Sequence, residues 1–296
     1  MIHSTPSSPS HSRLSCLHHC SRKYWHRYVC EQPHDEIVNA AMHAGKVMHA
    51  GLDAYYRGAD YEAAIDVAWG TQMFHGDDAW LTRNFIQMRM QKYIDADAGG
   101  WRPKLLSYDD IQWENVIEHE AEWDDDGNLI LAEARFMVSI GEGISIVNVP
   151  DLVLDYAGYP VVVDHKCRFG WINEKQRTEM EVGHQLRMGA LAYEALTGER
   201  CRDGWMNNIY VGENNCNPSS KAKMRELNQF GPWSHEQMQA TWEWINKGIV
   251  DAKYYDSEYT IWQATRKTRK VNLTRFPQNP GQHCHWCDFR EECIGE

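Results

Sequence analysis

The chain has 296 residues, 43% of them hydrophobic and 11% aromatic, and a formal net charge of -12. That length suits one or two domains with a sizeable core, and the apolar content excludes wholesale disorder. No apolar run approaches the roughly 18 residues of a membrane span, and Met1 to Ser12 lacks the apolar stretch of a secretory signal, so no membrane and a cytoplasmic location are expected. In that compartment the nine cysteines read as metal ligands where they cluster, not as a disulfide framework. The acidic balance argues against a general nucleic-acid coat protein but leaves room for a local basic groove.

Residues 1–12, rich in Ser, Pro and His, read as a flexible tail. Arg13 to Val29 has helical spacing, and a second helix is expected from about Ile37 to Tyr56, with Val38, Ala41, Val47 and Leu52 inward. Residues 60–97 read as two further helices, the second capped by Asp77 or Asp78 and closed near Gly99-Gly100. The period then changes to that of strands over Ile111 to Trp123, Leu129 to Ile140, Ile144 to Asp155 and Pro160 to Lys166. Asp124 to Asn128 and Tyr156 to Tyr159 are turn signals between them. A helix over Asn173 to Leu196, a fifth strand over Trp205 to Val211 and a helix from Ser234 to about Tyr254 follow. From Pro277 onward the chain reads as irregular. The order predicts an α/β or α+β fold: one sheet with flanking helices in a single domain over 13–296, with 57–110 a mainly helical insert.

The chemistry concentrates in Val149-Pro150-Asp151-Leu152-Val153 and Val161-Val162-Val163-Asp164-His165-Lys166. Adjacent antiparallel strands would set Asp151 beside Asp164. Two carboxylates in an apolar sheet are costly unless a cation lies between them, and a hard divalent ion such as Mg²⁺ or Mn²⁺ suits oxygen ligands. Lys166, two residues after Asp164, shares its face of the strand. There it can orient an attacking water or steady charge on a phosphate. A solvated surface hairpin is the bland alternative, and the valine triplet speaks against it. Glu118 and Glu120 are weaker candidates for the same metal shell.

Pro150-Asp151 followed by Asp164-His165-Lys166 resembles the signature of the PD-(D/E)XK nuclease superfamily. Gly45-Lys46-Val47-Met48-His49 resembles the G-x-x-x-H helix of its RecB-like members, which implies His49 as an additional metal ligand. His184-Gln185-Leu186 resembles their Q-x-x-x-Y helix, which implies that Gln185 contacts the reacting strand. Gly189 stands where that motif has tyrosine, and Tyr193 is too far along the helix to replace it. The resemblance implies a restriction-endonuclease-like core in which His49, Asp151 and Asp164 hold the metal with the His165 carbonyl, and Lys166 and Gln185 serve the reaction.

The tail Cys284-x₂-Cys287-x₅-Cys293 offers three thiolates and Cys20-Ser21-Arg22-Lys23-Tyr24 a fourth, the number that a cubane iron–sulfur cluster or a structural zinc requires. Cys16, one turn before Cys20, is the alternative, and His283 or His285 would enter a zinc version. Cys30, Cys167, Cys201 and Cys216 read as ordinary thiols. The long-range pattern resembles AddB-type nuclease domains and the CRISPR-associated Cas-four exonucleases. That implies a [4Fe-4S] cluster, bound through 13–30 and 277–296, that joins the two ends of the chain. The expected activity is metal-dependent DNA exonuclease action on single strands or free ends, with a helicase, recombination or adaptation protein as partner. A catalytically silent DNA-binding or assembly subunit is the rival expectation. Arg266 to Lys270, with Lys221, Lys223 and Arg225, offers basic stretches for a phosphate backbone, and Trp171, Trp262 and Trp286 offer rings for stacking.

Overall fold

The computed structural model describes residues 5–31, 40–70, 81–96, 101–168, 183–211 and 225–265, with Cys284, Cys287, Phe289, Arg290 and Cys293 of the tail. The N-terminal region forms α1 (His11–His19) and α2 (Ser21–Tyr24), followed by a π-helical turn over Trp25–Val29. The single helix expected over Arg13 to Val29 is therefore broken at Cys20. Its backbone is extended (φ -157°, ψ 106°), and its Sγ accepts the Lys23 N–H at 3.5 Å as the cap of α2. Part of the expected tail is tied down as well: the Val147 N–H donates to the Pro9 carbonyl at 3.2 Å.

Helix α3 (Ala40–Tyr56) carries the histidine helix, and α4 (Tyr61–Gly70) and α5 (Arg83–Ala96) pack beside it. The expected caps at Asp77 or Asp78 and the stop at Gly99-Gly100 lie outside the described residues. The strands are shorter and more numerous than their periodicity suggests: β1 (Leu105–Leu106), β2 (Val116–Glu120), β3 (Leu129–Ile130), β4 (Arg135–Gly141), β5 (Ile144–Asn148), β6 (Leu152–Tyr156) and β7 (Tyr159–Arg168). The break between β3 and β4 falls at Glu133, whose φ of +48° is left-handed and ends the extended run. Helix α6 (Gln185–Thr197) ends on Gly198, whose φ of +71° closes it. It is followed by β8 (Asp203–Tyr210), β9 (Arg225–Phe230) and α7 (His235–Thr265). β9 was not expected from sequence, and α7 runs eleven residues past the expected stop at Tyr254.

The central sheet has the order β6-β7-β8-β9, and β2-β4-β5 and β1-β3 form smaller sheets. β7 and β8 are parallel, and α6 lies in the crossover between them that such a pair requires. All other pairs are antiparallel. One core lies on the face of the central sheet that meets α6, with Val153 and Val162. Another lies on the face that meets α3 and α5, with Leu152, Val161 and Val163. β7 is thus covered on both faces, which is why it reads as an unbroken apolar run rather than an alternating one.

The N-terminal helices dock on α7 through aromatic rings. His18 and His184 stack against Trp244 with ring centroids 4.8 and 4.6 Å away. Burial lowers the pKa of both, that of His184 to about 4, with Arg187 pushing it in the same direction. The folded protein therefore keeps these rings neutral while an unfolded histidine takes up a proton near pH 6.5. Between pH 6.5 and 4 the unfolded state binds more protons, so stability falls as pH falls through that window and is level above it. Thermal unfolding followed by circular dichroism should show Tm dropping over this range, with a shallower slope in His184→Gln.

Candidate active site

Strand pairing brings the two aspartates together. Leu152 faces Val163 across β6 and β7, so the next register step sets Asp151 against Asp164. Asp164 is buried, 5% exposed, because β7 is covered on both sides. Its carboxylate is held by the Lys166 ammonium, with Nζ 2.7 and 2.6 Å from its two oxygens, and by the Gln185 side-chain amide at 2.5 Å. Gln185 opens α6, and Lys166 follows Asp164 on the same face of β7, as the two-residue spacing implies.

His49 approaches from α3. Its Nε2 lies 3.0 Å from the His165 carbonyl, and its Nδ1 lies 3.1 Å from Glu133 Oε1 and 3.7 Å from Asp151 Oδ1. Asp151 in turn accepts the His165 backbone N–H at 2.5 Å. The His165 carbonyl, expected as a direct metal ligand, therefore accepts from the histidine. This contact orients the ring so that Nδ1 faces the carboxylates.

Among the described residues, one group of His, Cys, Asp or Glu ligand atoms lies within 4.8 Å of one another: His49, Glu133 and Asp151. One imidazole and two carboxylates are a donor set that fits a hard divalent ion such as Mg²⁺ or Mn²⁺. Glu133 is the residue that sequence reasoning missed. Its signal was an acid inside the apolar run Leu129-Ile130-Leu131-Ala132-Glu133-Ala134. Its left-handed φ turns the chain there, and its own N–H donates to the Asp151 carbonyl at 3.3 Å. The acids singled out instead lie elsewhere: Glu118 and Glu120 sit on β2, Glu120 3.9 Å from Arg135. Asp164 adjoins this group through Lys166 and Gln185 and is not one of its members.

The electrostatics agree with the geometry. Burial pulls the His49 pKa down, but the Glu133 hydrogen bond and the charges of Asp151 and Glu133 outweigh it, and the result is about 9. Burial and the neighbouring Asp164 raise the pKa of Asp151. Burial disfavours the Lys166 ammonium, yet Asp164 and Asp151 hold it charged, above its ordinary value. A cluster that keeps its proton on a histidine and its charge on a lysine is a cluster of excess negative charge, the condition for capturing a cation.

Other expected features divide into three groups. Tyr193 donates to Glu199 at 2.6 Å and is buried, away from the aspartates, as its displacement along α6 implies. Arg225 lies over the rings of Trp101 and Tyr93, 4.6 and 5.7 Å from their centroids, so it packs against aromatic rings and not along a phosphate path. Arg266 to Lys270, Lys221, Lys223, Trp171, Trp286, His283, His285, Cys216 and the Asn173 to Lys175 start of the expected helix lie outside the described residues, as does the side chain of Trp262.

Cys20, Cys284, Cys287 and Cys293, expected to share a metal cluster, are not clustered among the described residues. The Cys293 thiol pKa is raised first by burial and then by Cys20, with Cys287 and Cys284 adding to it. The Cys287 N–H donates to the Cys284 carbonyl at 3.3 Å, and Phe289 of the tail stacks on His26 with centroids 5.3 Å apart. Cys16 has its thiol pushed up to about 11, mainly by burial.

Residues 8–294 match the family described as the PD-(D/E)XK nuclease superfamily. The match spans nearly the whole chain, and the chain belongs to that superfamily, whose members are nucleases. The mixed α/β architecture is consistent with the fold of that superfamily. A search of curated proteins finds no match. Among the described residues, no helix is long and apolar enough to cross a membrane.

The His49–Glu133–Asp151 group predicts that Glu133→Gln, which keeps size and removes charge, weakens Mn²⁺ binding about tenfold. Isothermal titration with Mn²⁺ checks this. Unchanged affinity would show that Glu133 only props the histidine.

Proposed function

We propose that the protein is a Mg²⁺- or Mn²⁺-dependent DNA exonuclease of the RecB-like branch. The observation that carries this reading is the convergence of His49, Glu133 and Asp151 next to the Asp164–Lys166–Gln185 hydrogen-bonded set. A divalent ion bound there would lower the pKa of a water and offset the charge of the scissile phosphate. His49, Asp151 and Glu133 are the groups placed to hold it, with Asp164 beside them, and the His165 carbonyl orients His49. The attacking water forms a new oxygen–phosphorus bond as the bond to the leaving sugar oxygen breaks, and that oxygen leaves with a proton. Lys166, kept as an ammonium, donates to the phosphoryl oxygen on which charge builds. Gln185 shares its amide between Asp164 and the strand. Single-stranded DNA or free ends are the proposed substrate, within one catalytic domain over 13–296. A helicase, recombination or adaptation protein would supply opened strands.

The test is incubation of end-labelled single- and double-stranded DNA with Mn²⁺. Asp164→Ala and Lys166→Ala should each lose at least a hundredfold in rate while the far-ultraviolet circular dichroism stays unchanged. Undiminished cleavage by rigorously purified Asp164→Ala would sink the assignment. The rival, a silent DNA-binding subunit, predicts DNA binding without cleavage in the wild type.

We further infer that Cys20, Cys284, Cys287 and Cys293 hold a structural [4Fe-4S] cluster. The support is the nearness of Cys20, Cys284 and Cys287 to Cys293, whose thiol they raise after burial, and the stacking of Phe289 of the tail on His26. A single zinc ion would draw its sulfurs to within about 4 Å of each other, whereas a cubane spaces its four thiolates over four irons. Anaerobically purified protein should be brown, with iron and sulfide near four each per chain. Cys20→Ser should lose the colour and lower Tm, and Cys16→Ser should do neither. Colourless protein with stoichiometric zinc after iron-supplemented expression would refute the iron reading.

A further inference from the structure

The aspartates border two concavities. Asp151 is common to both. One is an open groove along α3, about 630 Å³, that contains His49, Glu133 and Lys166. The other is a pocket of about 260 Å³ that contains Asp164 and Gln185. A phosphodiester held at the acids has a nucleoside on each side, so each concavity faces one of them. The groove can follow an extended strand. The pocket is different, because residues 10–12 form part of its wall.

That wall is fastened. The Pro9 carbonyl accepts the Val147 N–H at 3.2 Å, Ser8 Oγ lies 2.6 Å from Ser145 Oγ, and Ser145 Oγ donates to the Ser7 carbonyl at 3.3 Å. These contacts pin the segment to β5 and deliver His11, the first residue of α1, into the pocket. His11 stands close enough to Asp164 and Lys166 for both charges to act on it, and its ring centroid is 5.8 Å from Trp244.

Another part of the wall is α6, and there the chain departs from the RecB-like Q-x-x-x-Y motif that it resembles. Gly189 lines the pocket in place of an aromatic residue. A Cβ at Gly189 would lie 2.9 Å from Val162 Cγ1, closer than real contacts allow, and 3.8 Å from Asn148 Nδ2. α6 therefore packs too tightly on β7 to carry a side chain at this point.

The lining suits a nucleotide. Arg135, Asn148, Gln185 and His11 offer hydrogen-bonding groups, and Val147 and Val162 offer apolar surface. The volume sits just below the roughly 300–1,000 Å³ of ordinary small-molecule sites, room for one nucleoside and not for a continuing strand. We infer that this pocket receives the single terminal nucleoside of the strand being cut, and so binds a deoxynucleoside monophosphate, with the N-terminal segment as its end stop and His11 as its contact in place of the motif aromatic. The inference rests on the proposed phosphodiester chemistry for the position of the phosphate, and it supplies a structural reason for cleavage from ends.

The test titrates dAMP and dTMP into the full-length protein with Ca²⁺ present, by calorimetry. The wild type should bind saturably. His11→Ala on α1 and Arg135→Ala on β4 should each weaken binding at least tenfold, and His11→Gln should restore part of the loss. Two variants on separate elements, each checked by Tm, guard against simple misfolding. In Mn²⁺, linear single-stranded DNA should be degraded and closed circular single-stranded DNA spared. Absence of nucleotide binding by the wild type overturns the pocket, whether or not DNA is cut. Equal cleavage of circles and linear strands also overturns it, and leaves the nuclease reading standing. Nucleotide binding with no cleavage of any DNA sustains the pocket and sinks the nuclease reading instead.

Discussion

Everything around β7 answers one electrostatic constraint: Asp151 and Asp164 stand side by side in a sheet that is apolar on both faces. Unpaired, two such carboxylates would not stay ionised in the fold. The structure compensates them with groups from three separate elements. Lys166 and the His165 N–H come from β7 itself, Gln185 from α6, and His49 from α3. The segment before β4 adds Glu133, a third acid, which deepens the negative charge and leaves the set short of positive charge. A fold built only for stability would replace this cluster with apolar side chains at little loss. Its presence, inside a match to a nuclease superfamily, is what gives the cluster functional meaning.

The backbone of His165 is the joint through which these parts are aligned. Its carbonyl meets His49 and its N–H meets Asp151, so one peptide plane on each side of this residue orients a different member of the His49–Glu133–Asp151 group. The side chain points the other way, into the core, where its Nδ1 lies 2.8 Å from the Asn207 amide. Asn207 also donates to Tyr93 at 3.1 Å, and the Tyr93 and Tyr56 hydroxyls are 2.8 Å apart. This polar chain is fully buried, and burial holds His165 neutral. Because it links β8, α5 and α3 to the one residue that touches both His49 and Asp151, it limits how far those two side chains can drift apart.

What the sequence made legible follows from local rules. The β6–β7 hairpin was readable because Tyr156 to Tyr159 is a turn signal and Val161 to Val163 can only be buried. Asp164 and Lys166 followed from the two-residue period of a strand. His49 and Gln185 came from resemblance to two helix motifs rather than from local rules, and the helix expected from Asn173 would have put Gln185 in its interior, whereas α6 starts there. Glu133 was not readable, because its position depends on a left-handed backbone in mid-strand that periodicity cannot foresee. The break at Cys20 was hidden for a related reason: a thiol caps α2 there, a task that sequence assigns to Ser, Thr, Asp or Asn. β9 was masked by the charges that made Arg225 look like part of a basic patch, although its guanidinium lies over Trp101.

The two special regions, the acids and the cysteines, are not independent. α1 has nine residues, about 13 Å of rigid rod. Its first residue, His11, lies in the pocket with Asp164, and the residue that ends it, Cys20, adjoins the thiols of the tail. Between these ends Leu14 is fully buried against α7, where a Cβ on Gly248 would lie 2.3 Å from its Cδ2. The helix cannot slide along α7 without breaking that contact, and it cannot tilt without moving both ends. Whatever orders Cys20 against Cys284, Cys287 and Cys293 therefore also fixes where His11 stands. The position of Cys20 near Cys293 and the shape of the pocket at the carboxylates thus depend on the same helix.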